Sequence, residues 1–198
     1  MLGFSGAQGF FVILVVMNNK SIVIFDGSNF YYKLKSLNLS HTSQFDYHRF
    51  ALHLNQSQQL VAAYYCIGKI KAAQEDIKAR TMMAKQQSLA TRLQKEGFVI
   101  QYGFLLKTDS HYKEKGVDIQ IAVDLMRGAY RNEYNSVYLV SSDSDLVPAI
   151  REVQSVGKHV VYVGFEHKPS FALLKTARES RLLTKNDLLP FFPPATSS

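Results

Sequence analysis

Four aspartates occur where predicted β-strands end or where the following helices begin; they are Asp26, Asp118, Asp143 and Asp145. The first follows predicted strand one, the last two follow predicted strand four, and Asp118 lies in the first turn of the helix after strand three. In an open α/β sheet, the carboxyl ends of parallel strands and the N-termini of the next helices share one edge, where ligands bind. The sequence therefore predicts that the four carboxylates converge.

A structural explanation competes with a shared site, because Asp, Asn and Ser are preferred helix N-caps. Asn29, Asp118 and Asp145 could each cap a helix. Capping uses one side chain per helix, however, and does not account for an Asp-x-Asp pair at one strand exit together with further acids at two others. The capping alternative and the shared site both stay open at this point.

The chemistry of these side chains favours a divalent cation. Two carboxylates about 4 Å apart repel by roughly 4 kcal/mol at an effective dielectric near 20, and a bound cation removes this cost. Oxygen ligands from carboxylates, the Asn29 amide and water suit Mg²⁺ or Mn²⁺. The six His and the single Cys66 show no zinc-type spacing, and Cys66 is expected to be a small core residue.

A basic and aromatic segment precedes Asp118, and we expect it to contact a phosphate backbone. Its candidate substrate-binding residues are Lys107, His111, Tyr112, Lys113 and Lys115. Lysines neutralise phosphates, and a tyrosine can stack on an unpaired base. Lys69 and Lys71 leave the second strand at the same edge, whereas the basic residues of the helix that follows are more simply a solvated face. The segment at residues 107–115 is predicted to be a polar loop.

Three further residues are weaker site candidates: Asp124, Ser141 and Ser28. Asp124 lies six residues after Asp118, which places it about 9 Å further along a helix and on a different face. A structural hydrogen-bonding role is the simpler interpretation of Asp124.

Composition indicates a packed globular chain with one domain. Of the 198 residues, 46% are hydrophobic and 20% are charged, which excludes a disordered or collagen-like protein. A single cysteine excludes an internal disulfide and suits a reducing cytoplasmic location. The net charge of +7 favours a polyanionic partner without identifying it.

Short β-branched or aromatic runs alternate with helical stretches, which is typical of a parallel sheet covered by helices. The predicted strands are residues 21–25, 60–67, 98–106, 137–140 and 160–163. The predicted helices are residues 30–37, 47–54, 69–96, 117–131, 146–156 and 171–177. Gly97 and Gly157 are placed to end two of these helices.

The two ends of the chain differ from this pattern. Residues 1–20 form an apolar extension whose run at 9–17 is about half as long as a membrane-spanning helix and lacks the features of a secretory signal. Met17 is an alternative start site, and an added edge strand or a partner-binding arm is the other interpretation. Residues 193–198 are predicted to be a disordered tail.

Residues 21–192 resemble the NYN domain, a branch of the PIN-like ribonuclease superfamily. Three segments carry the resemblance: IFDGSN at 24–29, KGVD at 115–118 with Asp124 beyond it, and LVSSDSDLVP at 139–148. The chain departs from the family pattern at Ser142, where glycine is usual, and at Leu146, where phenylalanine is frequent. Ser142 is expected to narrow the turn beside the site.

The resemblance implies a PIN-like three-layer α/β/α sandwich with a mainly parallel sheet, and Mg²⁺- or Mn²⁺-dependent hydrolysis of RNA. It maps the catalytic and metal-binding acids onto Asp26, Asp118, Asp143 and Asp145, with Asn29 in support. The implied partner is RNA, taken as single-stranded, and not a membrane; a homodimer is compatible with the sequence.

Other protein classes fit less well. Haloacid-dehalogenase phosphatases need a second aspartate two residues after the first, where this chain has Ser28, and a nucleotide-binding Rossmann domain needs a Gly-x-Gly-x-x-Gly turn that the sequence lacks. The serious alternative is a PIN-like module that binds RNA or a protein without cutting. Retention of all four acids favours the enzyme, and a metal-dependence assay separates the two.

Overall fold

A computed structural model describes residues 19–39, 42–55, 58–70, 75–108 and 111–194, with the backbone alone at 104–108 and 111–115. The predictions for residues 1–18, including the alternative start at Met17, lie outside the described residues. The same holds for Lys71 and for residues 195–198 of the predicted tail.

The described residues form one seven-stranded sheet of order β4-β3-β2-β1-β5-β6-β7. Its strands are β1 (Lys20–Asp26), β2 (Gln59–Gly68), β3 (Phe98–Thr108), β4 (His111–Lys115), β5 (Ser136–Val140), β6 (His159–Phe165) and β7 (Glu179–Leu183). All neighbouring strands are parallel except β4, which runs antiparallel to β3 at one edge. The predicted α/β class with a mainly parallel sheet is confirmed.

Helices cover both faces of the sheet. They are α1 (Gly27–Ser36), α2 (Tyr47–Asn55), α3 (Ile77–Lys95), α4 (Val117–Tyr130), α5 (Val147–Ser155), α6 (Phe171–Thr176) and α7 (Lys185–Leu188). Side chains of α1, α2, α3 and α7 join the core on one face, and those of α4, α5 and α6 join the core on the other. The predicted three-layer sandwich is therefore also confirmed. None of the helices in the described residues is long and apolar enough to cross a membrane.

The two cores grip β1 from both sides immediately before Asp26. On one face, Phe25 contacts the rings of Phe30 and Phe50 at centroid distances of 5.5 and 6.0 Å. On the other face, Ile24 is fully buried in an aliphatic cluster with Ile121. Burying each such side chain contributes roughly 1.5–3 kcal/mol, so the end of β1 is held rigidly.

Two predicted segments differ in the structure. Residues 107–115 are not a polar loop, because Lys107 pairs with Tyr112 and Thr108 with His111 across an antiparallel β3–β4 ladder. β4 pairs with the outer edge of β3, whose backbone groups would otherwise lack ladder partners on that side. The helix predicted at 69–96 begins only at Ile77, since the Asp76 carboxylate accepts a hydrogen bond from the Ala79 N–H at 2.8 Å and caps it.

The last strand and last helix, β7 and α7, were not predicted. β7 is a half-buried edge strand of sequence ESRLL, which lacks the continuous apolar run of the central strands. The helix ends were predicted correctly at two glycines, because Gly97 and Gly157 have left-handed φ angles of 90° and 83° directly after α3 and α5.

Candidate metal centre and active site

The candidate site lies where β1 and β5 run side by side. The helix after β1 packs on one face of the sheet and the helix after β5 packs on the other, so the two connections diverge at this point. Such a divergence leaves a crevice at the carboxyl edge of the strands, where open α/β sheets bind ligands. Asp26 ends β1, and residues 141–145 follow β5.

Asp26 is the most fixed acid of the site. Its side chain is buried, with 4% of its surface exposed. One carboxylate oxygen accepts a hydrogen bond from the Asn29 N–H at 3.0 Å, which makes Asp26 the N-cap of α1. The other oxygen accepts a hydrogen bond from the Ser141 hydroxyl at 2.9 Å. The carboxylate is thus held from both β1 and β5.

Burial dominates the electrostatics of Asp26. It raises the pKa of the carboxyl group from 3.8 to about 6, although the hydrogen bonds from Asn29 and Ser141 act to lower it. The charges of Asp118 and Asp143 raise the pKa of Asp26 further. The pKa of Asp118 is raised by its own burial and by the charges of Asp143 and Asp145. The four predicted acids are therefore electrostatically coupled.

The turn after β5 is organised by its own side chains. The Ser141 hydroxyl accepts a hydrogen bond from the Asp143 N–H at 3.1 Å, and an Asp143 carboxylate oxygen accepts one from the Asp145 N–H at 2.9 Å. Asp143 is half-buried and Asp145 is exposed. The Ser142 hydroxyl lies 3.3 Å from that of Tyr162. Ser141, a weaker sequence candidate, thus connects the acids of the two strands.

The capping alternative does not hold for the residues it invoked. The N-cap of α1 is Asp26 rather than Asn29, and the N-cap of α4 is Gly116, with a left-handed φ of 90°, rather than Asp118. Asp143 caps the short 3₁₀ turn that contains Asp145. Asp118 and Asp145 are therefore not used as N-caps and are available for another role.

The donor set fits a hard divalent cation. The Asn29 side-chain oxygen is buried without a hydrogen-bond partner among the described residues, and a buried acceptor of this kind calls for a donor or a cation. Carboxylate and amide oxygens are the ligands that Mg²⁺ and Mn²⁺ prefer. In the described part of the chain, no three His, Cys, Asp or Glu side chains are already grouped to hold a metal ion. Binding would thus require the accessible side chains of Asp118 and Asp145 to turn inward.

Asp124 does not belong to this cluster. It is buried on α4, with 3% exposure, and forms an ion pair with Arg127 at 2.6 Å. Burial raises the pKa of Asp124, while the Gln120 and Arg127 side chains act to lower it. The structural role predicted for Asp124 agrees with this environment. Ser28, the other weak candidate, is half-buried in the first turn of α1.

The predicted substrate-binding residues lie on the β3–β4 hairpin: Lys107, His111, Tyr112, Lys113 and Lys115. β3 and β2 separate β4 from β1 in the sheet. Lys115 ends β4 one residue before Gly116, so the hairpin leads directly into the helix that carries Asp118. Lys69 lies over the Tyr102 ring, 5.8 Å from its centroid.

Sequence reasoning missed a group of cations beside α1. The Lys33 ammonium donates a hydrogen bond to the Lys168 carbonyl at 2.5 Å, and the Ser36 hydroxyl lies 2.7 Å from the His167 Nε2 atom. These contacts join α1 to the loop between β6 and α6. Helical spacing could have indicated Lys33, because it follows Asn29 by four residues and so lies on the same side of the helix.

Fold and site together define an α/β sandwich with an acidic cluster at the switch point of its sheet. The model of the NYN domain family matches residues 20–182, and the chain belongs to that family of PIN-like, nuclease-type domains. A protein of unknown function from Vibrio parahaemolyticus has a similar fold, with a TM-score of 0.65 and 23% identity over 85% of this chain and 95% of the other. No curated protein matches the chain.

Proposed function

We propose that this NYN domain is a metal-dependent ribonuclease that hydrolyses RNA phosphodiester bonds at the β1–β5 crevice. The observation that carries the proposal is the buried Asp26 carboxylate, held by Asn29 and Ser141 and coupled to further acids. A fold maintains a buried carboxylate with a raised pKa at an energetic cost, and such groups cluster at functional sites.

The acids would hold the cation. Asp26 and Asp118 would fix Mg²⁺ or Mn²⁺ together with Asp143 and Asp145, and the unpartnered Asn29 oxygen would bind the cation or a substrate oxygen. When bound, the cation would polarise the scissile phosphate and lower the pKa of an attacking water.

Water is the nucleophile that the chain's own side chains support. Cys66 is buried, and burial raises the pKa of its thiol well above the ordinary value, which excludes a reactive thiolate. Asp145 is exposed at the rim and Asp143 is half-buried beside it, so either carboxylate would accept the proton of the water. This assignment predicts a 5′-phosphate and a 3′-hydroxyl as products, rather than a cyclic phosphate.

The substrate would be RNA in single-stranded form. The net charge of +7 attracts a polyanion. Lys107, Lys113 and Lys115 on the β3–β4 hairpin would contact phosphates, because the hairpin leads into the helix of Asp118. Substituting all three with alanine would then reduce the salt dependence of binding by about 0.7 in logarithmic slope per lost contact.

The test uses the purified protein and a mixed RNA pool, with Mn²⁺ or with EDTA. We expect cleavage in Mn²⁺ alone, and a loss of at least a hundredfold in Asp26→Asn and Asp143→Asn, that is, about 3 kcal/mol of transition-state stabilisation. The matched control is Glu152→Gln, which neutralises an exposed carboxylate on α5 and should keep full activity. Full activity in EDTA, or cyclic-phosphate products, would contradict the mechanism.

A non-catalytic module that binds RNA or a protein is the second candidate. It is favoured by the lack, among the described side chains, of three acids already grouped for a metal. RNA binding that persists in EDTA, without cleavage in Mg²⁺ or Mn²⁺, would identify this second function.

A further inference from the structure

Helix α1 carries an exposed aromatic pair that the proposed chemistry does not use. Tyr31 and Tyr32 are 41% and 65% exposed, and their rings meet edge to face at a centroid distance of 5.4 Å. Phe30 and Leu34, on the opposite side of the helix, are buried in the core. The fold therefore anchors α1 by one side and leaves two tyrosines facing solvent.

The exposed side of α1 runs from the candidate site. Helical spacing of three and four residues aligns Ser28 with Tyr31, Tyr32 and Lys35. Helical side chains lean toward the N-terminus of their helix, which here is the end capped by Asp26. The tyrosine rings are thus directed toward the acidic crevice.

A cationic cluster, formed by Lys33, His167 and Lys168, flanks the same helix. Within the described residues, neither lysine forms an ion pair with an acid, and the Lys33 ammonium is held against the Lys168 carbonyl. Burial and the neighbouring Lys168 lower the pKa of Lys33, and burial together with both lysines lowers that of His167. Positive charges that repel one another in this way would be stabilised by an anion.

We propose that α1 is the binding track for single-stranded RNA, with bases stacked on Tyr31 and Tyr32 and phosphates on the cationic cluster and Lys35. Aromatic rings beside unneutralised cations are the combination that binds single strands, because every base has a stacking face and every linkage has a charge. The track continues into the crevice of Asp26. The proposal rests on the proposed function for its choice of RNA.

Stacking is tested by binding in EDTA, where no cleavage occurs, with a labelled single-stranded oligouridylate and a duplex RNA as probes. The double variant Tyr31→Ala/Tyr32→Ala should bind the single strand about tenfold more weakly per lost tyrosine. Its affinity for the duplex should be unchanged, because duplex bases are already stacked on each other. The matched control is Tyr130→Ala, a tyrosine of 61% exposure at the far end of α4.

The cations are tested by salt dependence. The double variant Lys33→Ala/Lys168→Ala should show a shallower slope of log affinity against log salt, by about 0.7 per contact. The tyrosine variant should keep the slope of the wild type, since stacking releases no counterions. Lys95→Ala, which removes an exposed lysine in the last turn of α3, is the control for lost charge alone.

The outcomes separate this inference from the proposed function. Wild-type affinity of the tyrosine variant for the single strand, or an equal loss for single strand and duplex, would show that α1 is not a stacking track. Such a result would assign the exposed pair to a protein partner. A wild type that binds through α1 but cuts nothing in Mn²⁺ would leave the track in place and overturn the nuclease.

Discussion

The Ser141 hydroxyl donates a hydrogen bond to the Asp26 carboxylate at 2.9 Å and so joins the carboxyl ends of β5 and β1. The same Ser141 oxygen accepts a hydrogen bond from the Asp143 N–H at 3.1 Å. One small side chain thus sets the position of an acid on each strand. The buried carboxylate of Asp26 is oriented by this bond before any ligand arrives.

Ser141→Ala should raise the pKa of Asp26 above its value of about 6, because it removes a hydrogen bond that favours the charged carboxylate. Titration of the aspartate carboxyl carbons by NMR, in EDTA, measures the change. Ser155→Ala, which removes a hydroxyl at the end of α5, should leave the pKa of Asp26 unaltered. An unchanged titration in Ser141→Ala would show that the bond does not set the charge of Asp26.

Asp26→Asn should stabilise the metal-free protein at neutral pH. The folded state holds the Asp26 proton up to about pH 6, against 3.8 for the model value, so the free energy of unfolding falls as pH rises through this window. At pH 7 the neutral variant should be more stable by about 1–3 kcal/mol, less what it loses in hydrogen bonding. Denaturant unfolding in EDTA at pH 7 and pH 3.5 tests this, and a gain that persists at pH 3.5 would contradict the electrostatic cause.

Mn²⁺ should raise the melting temperature of the wild type. A ligand at a hundredfold excess over its dissociation constant stabilises the folded state by about 2.7 kcal/mol, which corresponds to a shift of roughly 5–10 °C for a chain of this size. Asp143→Asn should lose most of the shift while retaining an oxygen that can accept the Asp145 N–H bond. Glu152→Gln serves as the control. A full response in Asp143→Asn would exclude Asp143 as a ligand.

Asp118→Asn and Asp124→Asn should differ in their effect on RNA cleavage. Asp118 is coupled to Asp143 and Asp145, so its loss should cost at least a hundredfold in rate, whereas Asp124 is paired with Arg127 and its loss should cost less than about tenfold. Single-turnover rates in saturating Mn²⁺ measure the chemical step. Equal losses in the two variants would place Asp124 in the catalytic machinery.

Gly27→Ala should destabilise the fold and displace the start of α1. A Cβ atom at this position would lie 2.6 Å from the Tyr65 ring and 2.9 Å from the Cys66 carbonyl oxygen. Neither neighbour can easily move, because Tyr65 is buried and the carbonyl belongs to β2, so the cost is about 1–3 kcal/mol. Thermal unfolding measures it, and Ser28→Ala, one residue further along α1, is the matched control with a small expected effect.

The sequence by itself was enough for the fold class and for the residues that belong to the site. Continuous apolar runs such as that of β1 report burial on both faces of a sheet, and the aspartates follow such runs at short range. Both facts are local, because strand pattern and strand-end position are set by neighbouring residues along the chain. The ends of α3 and α5 at Gly97 and Gly157 were predictable for the same reason.

Only the tertiary structure decided how these residues act on each other. The pKa of Asp26 depends on its burial and on Ser141, which lies 115 residues further along the chain. The pairing of β4 with β3, and of Lys33 with the loop at Lys168, likewise arises from segments that meet only after the sheet has formed. Local periodicity carries no information about such contacts, because burial and charge coupling are properties of the packed chain.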